Sequence, residues 1–258
     1  MAKMTLLEMT QDILSDMDSD EVNSINDSVE SLQVAQIIKS TYYNIIDGRD
    51  YDFLYELFQV EASGNSARPT HMKLPENIID LKYIKYNTRK STDTKDKYVK
   101  IKYLMPEDFM EVVDKRDSSK SDITVVTDAT GISINVKNDK APEYFTSFDD
   151  ENLVFDAYDS AVDTTLQKNK TQCHGKRSVT FTISDTFTPD LPVQMFTYLL
   201  AEAKSNAFVT LKQMPNAKAE QASNSQKRRM SQDAWRLKNG IEYPNYGRSV
   251  RAKKGPNY

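Results

Sequence analysis

The sequence predicts an α+β protein: an up-and-down helical bundle from both chain ends, an inserted β-sandwich-like domain and an extended C-terminal arm. Three observations lead there. Apolar residues recur at spacings of three and four near both chain ends, as helices that bury one face require. Short runs alternating polar and apolar residues, separated by turn residues, fill the middle. From Lys238 onward the period is lost among Gly, Pro, Asn and Lys. The expected divisions are N-terminal bundle helices over residues 1–60, a mainly β domain over 61–188, C-terminal bundle helices over 189–237 and a basic arm over 238–258.

A first helix opens at Thr5, with Glu8 at capping-box distance and Leu6, Met9, Ile13 and Met17 inward. Residues 18–26 are polar and acidic, hence a loop. The organising helix runs between Asp27 and Gly48. Asp27 is the expected N-cap and Glu30 its box partner. Val29, Leu32, Val34, Ile37, Ile38, Tyr42, Ile45 and Ile46 form a stripe too wide for one partner helix. Gly48 is expected to stop it in the left-handed conformation. Tyr51 to Val60 suits a short helix or a strand, and its period does not decide.

Gly64 and Pro69 then break the chain. Strands are expected over 74–85 and 97–104, and a short helix over 106–114 with Pro106 at its first position. Residues 123–127 and 132–137 flank Asp128-Ala-Thr-Gly131, a hairpin signal. Residues 144–148, 153–158 and 179–184 complete the strands of a small sandwich or curled sheet. Helix returns from Pro189, with Val193, Phe196, Leu200, Ala203, Ala207 and Leu211 in period. Pro215 interrupts it, and a polar helix resumes to about Trp235.

Single Cys173 excludes an internal disulfide. No apolar run has the length of a membrane span, and the N-terminus is too acidic for a signal peptide. His71, His174 and Cys173 lack the spacing of a metal site. The run Asp149-Asp150-Glu151 reads as a solvated loop before it reads as an acid–base pair. No glycine-rich phosphate loop is present. No catalytic, cofactor or metal residues are therefore assigned, and no enzyme is expected.

Net charge is −4, but unevenly placed. Residues 1–60 hold twelve acidic and three basic residues; residues 212–258 hold eleven basic and three acidic. The candidate partner-binding residues lie in the basic end: Lys227, Arg228, Arg229, Trp235, Arg236, Lys238, Tyr243, Tyr246, Arg248, Arg251, Lys253 and Lys254. Basic residues neutralise phosphates and aromatics stack on bases. Arg with aromatics is equally the chemistry of protein hot spots. The acidic N-terminal part favours a neighbouring subunit or another protein over direct DNA contact.

Three stretches, residues 13–56, 142–166 and 227–248, together resemble the tail tubular protein A family of tailed bacteriophages, the head-to-tail adaptor or gatekeeper. Their order and spacing carry the likeness. The resemblance implies a structural virion protein at the capsid–tail junction, made in the host cytoplasm. It implies a homo-oligomeric ring, commonly of twelve copies, beneath the portal protein, with DNA passing through and the next tail component below. It implies no cofactor. The rival reading is a nucleic-acid-binding protein using the basic arm.

Overall fold

The computed structural model describes residues 3–238 apart from Ser91 and Asp150, and side chains of the last helix as far as Ser231. Two compact units result: residues 1–51 with 181–258, and residues 52–180.

Unit 1 is helical. Helix α1 (Leu6–Asp16) begins with the capping box of Thr5 and Glu8. The Leu6 N–H donates to the Phe187 carbonyl at 2.7 Å, so an orphan donor of the first turn is satisfied. Helix α2 (Val29–Asp47) is capped one residue later than expected, by Ser28 with Ser31 at the third position. Asp27 instead accepts from the Asn23 and Ser24 N–H groups, both at 2.8 Å, and closes the preceding loop. Val34, Ile38, Tyr42, Ile45 and Ile46 are buried, whereas Val29 is 75 % exposed and lies outside the stripe. Gly48 is right-handed, with φ −67°, not left-handed.

Helix α4 (Val193–Leu211) packs against α1 and α2 and also against α5 (Ala217–Lys238). It therefore buries two sides, including Met195, Phe196, Tyr198 and Leu199 beside the small Ala203 and Ala207. The strand expected over 179–184 does not form. Phe181 of that stretch instead packs on Tyr42, Tyr43 and Phe187, and its N–H donates to the Tyr43 hydroxyl at 3.2 Å. Its alternation is satisfied by helices rather than by a ladder.

Unit 2 is a curled sheet with a helix, α3 (Pro106–Asp114), and a hairpin. Its strands are β1 (Tyr55–Phe58), β2 (Glu61–Ala62), β3 (His71–Lys73), β4 (Ile78–Asn87), β5 (Tyr98–Tyr103), β8 (Tyr144–Ser147), β9 (Asn152–Phe155) and β10 (Thr171–Arg177). The order is β1-β10-β4-β5-β8-β9-β3-β2, and of these neighbouring strands only β5 and β8 run parallel. Strands β1 and β2 are opposite edges, yet only Gln59 and Val60 connect them. Two linking residues span roughly 10 Å, so the sheet has to curl towards closure. Val60 points into the curl, fully buried, with Ile84, Ile101, Phe155 and Cys173. Phe109 and Val113 of α3 close this core from one side. Val126, Ile134 and Val136 close it from the hairpin of β6 (Ile123–Thr127) and β7 (Ser133–Lys137).

This corrects the expected architecture. Among the described residues the protein is mixed α/β, with five helices and a large half-barrel sheet, and not an up-and-down bundle with a small sandwich inserted. Two segments account for the difference. Residues 52–54 form a 3₁₀ turn and residues 55–58 a strand, so they join the sheet instead of a helical group. Strand β10, absent from the sequence reading, fills the place between β1 and β4.

Candidate assembly and charge surfaces

In unit 1 the expected partner-binding residues fall on or after α5. Ala219 and Ser223 form its buried face, and the Ser223 hydroxyl donates to the Glu202 carboxylate of α4. Small residues let the two helices approach closely. Lys227, Arg228 and Arg229 are exposed on the remaining surface. Trp235, Arg236 and Lys238 continue the same helix, with side chains outside the described residues. Tyr243, Tyr246, Arg248, Arg251, Lys253 and Lys254 lie outside the described residues, as does the arm expected over 238–258 except for Lys238, which ends α5. A cleft of about 110 Å³ brings Lys227 and Met230 to Arg49, Tyr51 and Tyr198. Burial pushes the phenols of Tyr51 and Tyr198 above their ordinary range.

The acidic end divides into carboxylates that meet a lysine and carboxylates with no cationic partner among the described residues. Lys204 of α4 sits 2.8 Å from Asp12 and 2.6 Å from Asp16. Burial pulls its pKa down, but the two carboxylates outweigh burial and hold it above the ordinary value. Asp18, Asp20, Glu21 and Asp27 are exposed in the loop between α1 and α2. Unit 1 thus carries an acidic loop and a basic helix.

Unit 2 holds two buried polar clusters. His71 Nε2 lies 2.8 Å from Asp128 Oδ1, both side chains nearly inaccessible. Burial raises the Asp128 carboxyl, but hydrogen bonds from Thr130, Ala129 and His71 outweigh it and hold it at about 2. Burial lowers His71 despite its carboxylate partner. Thr70 Oγ1 is 3.5 Å from His71 Nδ1. The hydroxyl is fully buried, so this resemblance to a nucleophile–base–acid chain has no route for substrate. The pair pins β3 to the β6–β7 turn. There Gly131 takes φ +84°, and the Asp128 N–H donates to the Ile132 carbonyl at 2.8 Å.

The second cluster is Arg116 with Asp156. Arg116 Nη2 donates to Asp156 Oδ2 at 2.7 Å, and Nη1 to the carbonyls of Asn135 and Asp156. Asp156 Oδ1 accepts from the N–H groups of Glu143 and Tyr144, each at 2.9 Å. Every charge is matched, as in a structural pin.

Asp149 caps the β8–β9 turn by accepting from the Glu151 and Asn152 N–H groups at 3.1 and 2.8 Å. Asp150 lies outside the described residues. No group of three His, Cys, Asp or Glu among the described residues is placed to hold a metal ion. Burial pushes the Cys173 thiol up to about 12, leaving it an apolar core group at neutral pH. No described helix is long and apolar enough to cross a membrane.

Sequence reasoning missed one surface. His174 lies between Tyr55 and Tyr83, with both ring pairs stacked at 5.5 Å. Lys82 lies over the Tyr55 ring at 5.4 Å and Lys85 over the Tyr83 ring at 5.2 Å. A register shift between β10 and β4 opposite Lys82 turns both Lys82 and Tyr83 outward. Strands are expected over 74–85 and 97–104, with no lysine face read from either; the aromatic row depends on β10, which no local signal marked.

The chain matches no protein-family model, and no curated protein aligns with it. The resemblance described above therefore rests on the three stretches alone.

Proposed function

We propose that this chain is a structural subunit of a tailed-bacteriophage head-to-tail adaptor. In this reading it forms a ring that joins the portal protein to the tail, lines part of the DNA channel and catalyses no reaction. The observation that carries the reading is the charge division of unit 1. One exposed loop supplies Asp18, Asp20, Glu21 and Asp27, and a long helix supplies Lys227, Arg228 and Arg229. Copies arranged around a ring can set one against the other, and repetition makes weak contacts additive. The three stretches that resemble adaptor proteins supply the identity of the assembly.

Purified chain mixed with its portal protein should give closed rings by native mass measurement and low-resolution imaging. Trp235→Ala should weaken docking by about 2 kcal/mol, as a buried aromatic anchor does. Deleting residues 239–258 should leave the circular dichroism of the helices and sheet in place while docking falls. Normal docking by both variants would sink the reading.

A further inference from the structure

We propose that the outer face of β1, β10, β4 and β5 binds the sugar–phosphate backbone of double-stranded DNA through Lys85, Lys100 and Lys102, without contacting bases. The proposal does not rest on the adaptor reading.

Charge is the first argument. Residues 81–103 hold eight basic residues (Lys82, Lys85, Arg89, Lys90, Lys95, Lys97, Lys100, Lys102) against two acidic ones (Asp93, Asp96), in a chain of net charge −4. Ile84 and Ile101 pair and point into the core, so their neighbours Lys85, Lys100 and Lys102 point out. Lys100 and Lys102 are exposed. They stand about 6.8 Å apart along one strand, two residues of rise.

Register is the second. Lys85 sits directly opposite Lys100. Like charges in that position destabilise a sheet. No carboxylate pairs with Lys85, Lys100 or Lys102 among the described residues. Across β4 the neighbour of Lys85 is Gln172, and beside Lys102 stands Tyr144. A bound polyanion relieves the repulsion that the protein itself leaves in place.

The aromatic row decides what kind of contact is made. Its rings face one another, and Lys82 and Lys85 cover the two ends. Within this row each ring lies against another ring or a lysine, so the row is not the open stacking platform that single-strand binders use. Lysine decides between nucleic acid and protein. Protein interfaces are depleted in Lys, and planar carboxylates are better matched by the arginine fork. Mobile ammonium groups suit a chain of phosphates, where counterion release supplies the driving force.

The test uses the full chain and a short fluorescein-labelled duplex, with anisotropy read across a potassium chloride series. The variant Lys85→Gln, Lys100→Gln, Lys102→Gln should lose more than about tenfold in affinity at moderate salt. Its log–log salt slope should flatten by roughly 2.7, at about 0.9 per lysine. Its melting temperature should hold or rise, since the opposed charges are gone. The matching variant Lys227→Gln, Arg228→Gln, Arg229→Gln should keep most of the slope. Single strands should bind more weakly, and polyglutamate of equal charge should displace duplex poorly. An unchanged slope in the sheet variant overturns the proposal. So does loss of the slope in the α5 variant instead, tighter single-strand binding, or displacement by polyglutamate as effective as by unlabelled duplex. Portal docking reports on the adaptor reading separately, so each idea can fail alone.

Discussion

Replacing Asp156 by Ala should remove the pin of unit 2. The carboxylate is fully buried and accepts three hydrogen bonds: Arg116 at 2.7 Å, and the Glu143 and Tyr144 N–H groups at 2.9 Å. Truncation leaves the Arg116 guanidinium, with its side chain only 10 % exposed, without its countercharge. Breaking a buried pair from one side costs about 3–5 kcal/mol. Each orphaned N–H adds about 1–3 kcal/mol if water cannot reach it. These terms overlap, so a loss on the order of 4 kcal/mol is expected. A urea slope of about 2 kcal/mol/M converts that to a midpoint shift of about 2 M. Urea denaturation of the full chain should be followed by near-ultraviolet circular dichroism, which reports the tyrosines of the sheet. Arg116→Met should cost less than Asp156→Ala, because its partner keeps two N–H donors. The double variant should cost clearly less than the sum of the singles. A loss under about 1 kcal/mol for Asp156→Ala, or strict additivity of the two, would refute the pin.

Three further outcomes follow from the packing. Ile38→Asp puts a carboxylate at a fully buried site of α2, costing several kcal/mol; unit 1 should lose its helical signal, and a soluble variant with intact helices would show α2 is not central. Gly175→Ala sets a Cβ 2.3 Å from the Asp80 carbonyl oxygen and 3.0 Å from the Phe58 ring. Overpacking of this kind costs about 1–3 kcal/mol, and an unchanged melting temperature would contradict the tight β10–β4 approach. Stability should also fall in two steps on acidification, read as the urea midpoint against pH. His71 is lowered below its unfolded value of about 6.5, so the unfolded chain binds the proton first and stability declines as pH drops below that value. Asp128 sits at about 2 against about 3.8 unfolded, so its contribution, about 2 kcal/mol, is present above pH 4 and lost between those values. His71→Gln should remove the first step, and persistence of that step would assign it elsewhere.

By itself the sequence determined the pieces whose signals are local. The Thr5–Glu8 box, Pro106 opening α3, the alternation of β5 and the turn at Gly131 each fix φ, ψ or a face within a few residues. It also determined the uneven charge from which both functional surfaces are argued. Residues 171–177 and 179–184 compete for the same role, and local pattern chooses wrongly between them. Thr-Phe-Thr-Ile looks like a strand, yet Phe181 is buried among the rings of unit 1. Thr171 to Arg177 looks polar and is broken by Gly175, yet it is a central strand, because only Thr171, Cys173 and Gly175 turn inward and the rest face out. Even the cap of α2 moved one residue, since Asp27 was drawn to Asn23 and Ser24. The tertiary structure alone decided the strand order, the curl imposed by β1 and β2 on opposite edges, and the row of Tyr55, His174 and Tyr83. Their strand pairings join residues far apart in the chain, Tyr55 with Lys176 across β1 and β10 and Tyr83 with His174 across β4 and β10. Which distant strand supplies a partner is settled by the burial of the whole sheet, a free energy that no short window of sequence contains.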